Sequence, residues 1–298
     1  MRPAGLMRTA ILTVLRIWSL LPLRFLQMLG AMIGSIHHWT NSRAAQVTEV
    51  NLRLCGLNKD LRRQSLQETG KTMMETPAVW LGARGRIDAW LGDIHRETLL
   101  KEAVSADQGL LILLPHLGNW EMFNVFYRRY GTMTALYQPP RSPALDEIMR
   151  TVREGHGNEM VPTDRRGTRR LYRVLDGGGT VVILPDQVPA TGQFIPFFGT
   201  AALTDKLAVR LQNKTRAKVL MLAFLRRSDG KFDVHVNDAD DKLYREDPVS
   251  ALTALNSMIE STIALGPAQY QWEYKRFRER PAGEKKVYRF NKPARVHD

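Results

Sequence analysis

The chain has one cysteine, Cys55, in 298 residues. That excludes an intramolecular disulfide and any cysteine-based metal cluster, and it suits a reducing compartment. The seven histidines, the His37-His38 pair included, have no metal-ligand spacing with acids. No metal and no cofactor is therefore expected. Gly177-Gly178-Gly179 lacks the lysine and following Ser/Thr of a phosphate-binding loop; it reads as a turn between a helix and a strand. Low-complexity linkers and repeats at solenoid-like periods are missing too. No apolar run is long enough for a clean membrane-spanning helix: residues 6–39 are mostly apolar, but Arg8, Arg16 and Arg24 interrupt them and Pro22 breaks the middle. Acids are also short, 30 against 43 Lys and Arg, for a net charge of +13. Anionic partners follow from that balance. Nucleic acid is not the expected one, because the basic residues are scattered, with no zinc finger, RNP-like motif or single basic helix.

What is present begins at Gly109-Leu-Leu-Ile-Leu-Leu-Pro-His116-Leu-Gly-Asn-Trp-Glu121. Five aliphatics ending in Pro-His and Leu-Gly-Asn read as a core strand that stops at a loop. An imidazole there can take a proton from a hydroxyl if its second nitrogen donates to a carboxylate. His116 is the candidate base and Glu121 its candidate orienting acid. Five residues apart, the two are roughly 140° apart on a helix and cannot pair within one. They can pair if His116 lies in the loop and Glu121 in the first turn of a following helix, with Asn119 as N-cap.

A second strand ends the same way, Val-Val-Ile-Leu-Pro before Asp186-Gln187, so these two residues are candidate walls of the same site. Ile195-Pro-Phe-Phe-Gly199 reads either as an aromatic turn lining an acyl groove or as core. Strands are expected at residues 110–114, 132–137, 180–184, 219–224 and 232–236. Helices are expected at residues 58–81, 121–130, 144–154, 166–175, 205–213 and 249–264. This alternation predicts an α/β sandwich with a largely parallel central sheet, its site beyond the carboxyl ends of the strands. The first forty residues read as two amphipathic segments at a membrane interface, as one tilted span with snorkelling arginines, or as a buried core helix.

His116-Leu-Gly-Asn-Trp-Glu121 resembles the His-x4-Asp/Glu box of the glycerolipid acyltransferases. The flanking segments resemble more narrowly the late acyltransferases of lipid A biosynthesis. They are Val50-Asn-Leu-Arg-Leu-Cys55, Tyr137-Gln-Pro-Pro-Arg-Ser-Pro-Ala-Leu-Asp146, Gly179 to Gln187, Pro196-Phe-Phe-Gly199, and Gln269-Tyr-Gln-Trp272 through Arg276-Phe-Arg278. Gln138 and Arg141 depart from the family's pattern. Arg150 and Arg153 fall where that family carries an arginine-rich helix.

The resemblance implies a glycerolipid-acyltransferase-like fold and an acyl-carrier-protein thioester as donor. It further implies a hydroxyl of a phosphorylated glycolipid, a lipid A precursor, as acceptor. Residues 1–42 would be a membrane-anchoring segment and residues 43–298 the catalytic domain, facing the cytoplasm from a bacterial inner membrane. Arg153 or backbone N–H groups near Asn119 would face the developing oxyanion. Arg150, Arg165 and Arg166 would contact phosphate. A lysophospholipid or ornithine-type lipid acceptor, and a lipid-binding homologue without activity, remain the alternatives. All assigned motifs follow residue 49, so deletion up to Trp39 is expected to spare the chemistry.

Overall fold

A computed structural model of the protein describes residues 3–140, 142–155 and 157–290, with side chains from Thr9 onward. Arg141 and the side chain of Arg8 lie outside the described residues. Four helices come first: α1 (Pro3–Ser19), α2 (Leu23–Trp39), α3 (Arg43–Leu54) and α4 (Leu61–Leu81). The α/β unit follows as α5 (Arg84–Asp88), β1 (Leu91–His95), α6 (Glu97–Ser105), β2 (Leu110–Leu113), α7 (Met122–Tyr127), β3 (Thr134–Tyr137), α8 (Pro143–Glu154), β4 (Glu159–Pro162), α9 (Arg165–Asp176) and β5 (Thr180–Ile183). The hairpin β6 (Gln193–Phe197) and β7 (Thr200–Thr204) then leads to α10 (Leu207–Thr215), β8 (Lys218–Arg226), β9 (Phe232–Asp238) and α11 (Pro248–Ile263).

Seven strands form one sheet in the order β1-β9-β8-β2-β5-β3-β4. All its pairings are parallel except β8 with β9. The central strand β2 is Leu-Leu-Ile-Leu with every residue buried, as a strand covered on both faces requires. Leu111 and Leu113 face a core built with α3, α9, α10 and α11; Leu110 and Ile112 face a second core built with α2, α4, α5, α6 and α7. The sheet is thus the middle layer of three, and the loops after β2 and β5 leave it at the same edge.

The N-terminal helices are built into this body. Leu26 of α2 is fully buried in the second core. Gly30 and Gly34 meet α4 at its backbone: a Cβ on Gly30 would stand 2.5 Å from the carbonyl oxygen of Gly70, and one on Gly34 2.2 Å from that of Leu66. No side chain fits between these helices. The opposite face of α2 carries Phe25, Met28, Met32, Ile36 and Trp39, all exposed, and Val14, Ile17 and Leu20 extend the apolar surface along α1. Among the described residues no single helix is long and apolar enough to cross a membrane; α1 and α2 pass that test only as a pair bent by 110°.

The hairpin settles one alternative. Phe197 is fully buried against Tyr270 and Phe277, so its ring packs as core, while Pro196 and Gly199 are exposed and the turn does not line the cavity beside His116.

Candidate active site

β2 delivers His116 and β5 delivers Asp186 to the same edge of the sheet, because the two strands pair in parallel, Leu113 beside Ile183. The His116 Nδ1–H donates to Asp186 Oδ1 at 2.8 Å, and the His116 backbone N–H donates to Oδ2 at 2.8 Å. Since a carboxylate only accepts, this bond fixes the tautomer and leaves the lone pair on Nε2. The Gln187 amide donates to that Nε2 at 3.1 Å. Trp120 stands edge-on to the imidazole, ring centres 4.8 Å apart. His116 keeps 13% of its side chain exposed while Asp186 keeps 1%. Burial pushes the Asp186 carboxyl up, but the charge of His116 and its two hydrogen bonds outweigh that and hold the carboxyl below its ordinary value.

The sign of this linkage is definite. The stability that Asp186 contributes is fully present above the ordinary aspartate range and is lost as pH falls through the lowered value. Asp186→Asn should therefore flatten the acid-side fall of melting temperature. A melting series from neutral pH downward checks this.

Glu121 is not the acid on His116. It occupies the N-cap position of α7 and turns away, accepting from Trp80 Nε1 at 2.9 Å and from Arg153 at 2.5 Å. Asp186 already fills the Nδ1 side of the imidazole, and Arg153 supplies Glu121 with a countercharge that a neutral imidazole lacks. Arg153 also lies 5.5 Å from the centre of the Tyr137 ring. Tyr137 donates to Asp146 at 2.8 Å, which ties the end of β3 to α8, the helix that carries Arg153. Glu121→Gln keeps an acceptor for Trp80 but removes the charge opposite Arg153. The expected loss of turnover is on the order of tenfold, the scale of one charge-assisted hydrogen bond. Unchanged steady-state turnover would take Glu121 out of the machinery.

Asn119 does not cap α7 through its side chain. It is fully buried and donates to Glu75 Oε2 at 3.0 Å. Glu75 is the centre of a buried cluster: Arg226 donates to it twice, at 2.8 and 2.5 Å, and Gln27 of α2 once, at 2.9 Å. Glu68 is a second carboxylate for Arg226. Gly118, at φ +63°, brings its backbone so close to β8 that a Cβ would stand 1.9 Å from the Phe224 carbonyl oxygen, so only glycine fits. The Gly118 and Asn119 N–H groups are spent on the carbonyls of Gln269 and Phe224. These two are not free for an oxyanion, and Arg153 remains one of the expected donors.

His116, Glu121 and Arg153 line a cavity of about 380 Å³ whose other walls include Leu114, Phe123, Met133, Met160 and Val182. That is within the size range of ligand pockets. Gln187 lines it as well, whereas Asn119, Arg150, Arg165 and Arg166 do not. Arg150 pairs with Glu154 at 3.1 Å on the surface. Arg165 and Arg166 are exposed at the start of α9. The structure thus brings together His116, Asp186, Gln187, Glu121 and Arg153, in two separate carboxylate pairings.

Residues 4–279 match the family model described as bacterial lipid A biosynthesis acyltransferase. The chain belongs to that family. The lipid A biosynthesis palmitoleoyltransferase of Escherichia coli K12 is 25% identical over 287 residues, 93% of this chain and 92% of that protein. The lauroyltransferase of the same organism is 24% identical over 273 residues, 88% of each chain. A solved 1-acyl-sn-glycerophosphate acyltransferase from Thermotoga maritima aligns over 85% of this chain and 98% of that one at 9% identity, with a TM-score of 0.34.

In this member of the family the flanking signatures pack behind the candidate site. Asn51 donates to the carbonyls of Trp272 at 2.6 Å and Tyr274 at 2.7 Å, so the N-terminal Asn-Leu signature grips the C-terminal one. The gripped segment bonds to the loop that carries His116: the Gln271 N–H donates to the His116 carbonyl at 3.1 Å, and Leu117 bridges to Tyr270. Gln269 holds both backbone groups of Arg226, at 2.8 and 2.9 Å. Sequence reasoning passed over Trp80, Glu75, Arg226 and Gln271. Gln271 alone carried a signal, since it lies inside a quoted motif.

Proposed function

We propose that this protein moves a fatty acyl chain from an acyl-carrier-protein thioester to a hydroxyl of a phosphorylated glycolipid, a lipid A precursor, at the cytoplasmic face of the inner membrane. The observation that carries the reading is the His116–Asp186 pair at the rim of a largely apolar cavity. His116 Nε2, relieved of Gln187, takes the proton of the acceptor hydroxyl as its oxygen attacks the thioester carbonyl carbon. Asp186 holds the imidazole in the required tautomer and balances the imidazolium that forms. Collapse of the tetrahedral intermediate breaks the carbon–sulfur bond, and the imidazolium returns the proton to the departing thiolate. No acyl-enzyme is needed, because the thioester is already activated. Arg153 is the cation available to the oxyanion. The apolar walls suit the acyl chain, and the Glu121–Arg153 side suits the polar acceptor.

The exposed stripe on α1 and α2 supports a membrane attachment. Apolar side chains on one face of two bent helices, with Arg16 and Arg24 at their edges, suit a segment lying in the interface more than one that crosses it. Met28→Glu with Met32→Glu should move the protein out of the membrane fraction and preserve transfer to detergent-dispersed acceptor. Retention on vesicles in flotation would relocate the anchor.

The function itself is tested with purified protein, lauroyl-, myristoyl- and palmitoleoyl-carrier donors and a panel of acceptors, with products read by mass spectrometry. Transfer to a Kdo-lipid A precursor is expected. Transfer confined to a lysophospholipid or an ornithine lipid would replace the acceptor, and no transfer from any donor would leave a lipid-binding homologue.

A further inference from the structure

The cavity beside His116 does not end there. A second cleft, about 650 Å³, adjoins it and shares Gln138, Thr163, Leu184, Gln187 and Leu207 as walls. It runs from Gln187, whose amide donates to the His116 lone pair, past residues 188–192, to Thr168 of α9 and to Lys206 and Arg210 at the start of α10. Where it opens, the surface is cationic. Arg165, Arg166, Arg169 and Arg173 of α9 are exposed and, among the described residues, none has a carboxylate within salt-bridge distance. Arg170 of the same helix does pair, with Glu159 at 2.9 Å. Lys214 of α10 lies over the Tyr172 ring beside them, 4.9 Å from its centre.

Two of the acids at this face are already committed, while Asp176, at the end of α9, is exposed. Asp164 caps α9, accepting from the N–H groups of Arg166 and Gly167 at 2.8 and 2.9 Å. Asp205 accepts from the Leu207 N–H at 2.8 Å. Several arginines elsewhere on the surface are matched: Arg128 and Arg129 with Asp88, Arg227 with Asp93, Asp229 and Asp233, and Arg280 with Glu284; exposed ones in no such pair among the described residues, such as Arg53, Arg84 and Arg96, lie on separate elements. Cations left unmatched along one helix present a field for an anionic partner.

Position distinguishes a soluble partner from a membrane. α9 and α10 cover the face of the sheet whose core includes Leu171, Leu175, Val209 and Leu211. The exposed apolar stripe belongs to α2, which packs on the other face through Leu26. A surface that docks through α1 and α2 leaves α9 and α10 on the far side of the sheet.

We propose that the α9–α10 face is the docking surface of the acidic acyl-carrier protein, and that the second cleft admits its thioester-bearing arm to His116. This rests on the acyl-carrier reading of the donor. It also reassigns Arg165 and Arg166 from the phosphates of the acceptor to the donor.

The test compares two donors, lauroyl-acyl-carrier protein and lauroyl-coenzyme A, with a Kdo-lipid A precursor as acceptor in detergent. Arg169→Glu with Arg173→Glu should raise the KM for the carrier donor on the order of tenfold at low salt, an effect that shrinks as salt is added. The KM for lauroyl-coenzyme A and turnover with it should not move. Lys101→Glu with Lys231→Glu, the same charge change on other surfaces, should leave both donors unaffected. An unchanged carrier KM in the α9 double variant overturns the docking proposal, provided the unaltered protein uses the carrier donor. Weaker binding to anionic vesicles with an unchanged carrier KM overturns it in favour of a membrane contact. Failure of the unaltered protein to use the carrier donor, while it uses lauroyl-coenzyme A, overturns the underlying donor reading instead.

Discussion

Asp186→Asn is expected to lower turnover nearly as far as His116→Ala does, on the order of 10²–10⁴-fold, the usual contribution of general base catalysis. His116→Ala removes the proton acceptor. Asp186→Asn leaves the acceptor in place and alters its electronics. An asparagine at that site can turn its amide toward Nδ1 and stabilise the tautomer whose Nε2 is already protonated. Even in the useful tautomer it offers a dipole where the imidazolium needs a charge. Both Asp186 oxygens are engaged by His116, one by its ring and one by its backbone N–H, so the substitution also loosens the loop. Measuring kcat and KM together separates the effects: loss of charge falls on kcat, whereas a displaced loop raises KM for the acceptor as well. Near-normal kcat in Asp186→Asn would return the orienting role to another group, and Glu121 would need to leave Arg153 to take it.

Much of the architecture was legible because the core strands are short, wholly apolar and punctuated. β2 and β5 each run into Pro followed by a polar residue, which predicted where they stop and that His116 and Asp186 share an edge. The parallel pairing of Leu113 with Ile183 then makes the two meet. The error over Glu121 has a physical source. Spacing along the chain measures which residues are near in sequence, while the decisive partner came from a strand 70 residues away. Asn119 misled for the same reason: its composition suits a helix cap, but a buried Glu75 on α4 competes for its amide. Edge strands β1 and β4 and the hairpin β6–β7 went unread, since their alternation is weak and Pro162 and Pro196 interrupt it. The Glu75–Arg226 cluster left no trace in the sequence. Each of its members lies on a segment whose neighbours look like ordinary helix or strand.

Deleting residues up to Trp39 is expected to abolish activity and soluble expression together, contrary to what the positions of the motifs alone predict. α1 and α2 do more than present an apolar stripe. Leu26 fills the core, Trp18 donates to the Met74 carbonyl at 2.9 Å, and Arg86 donates to the Ser19 carbonyl at 2.7 Å. Loss of one buried leucine contact costs roughly 2–5 kcal/mol, and a buried carboxylate deprived of a donor about 1–3 kcal/mol more. Glu75 would lose Gln27 while still holding Asn119 of the His116 loop. Together with the α4 backbone laid bare at Gly70 and Leu66, these losses approach the about 5–15 kcal/mol that holds a domain folded. A point variant makes the argument sharper. Gly30→Leu forces a side chain against the α4 backbone, since even a Cβ there would stand 2.4 Å from Lys71 Cα; it should depress melting temperature and transfer to detergent-dispersed acceptor alike. Met32→Glu, two residues on and on the opposite, exposed face of the helix, should reduce membrane association and leave both of those unchanged. A truncated protein that folds and transfers acyl chains in detergent would make α2 a detachable anchor, and would require the Gln27–Glu75–Asn119 chain to hold the loop without its first member.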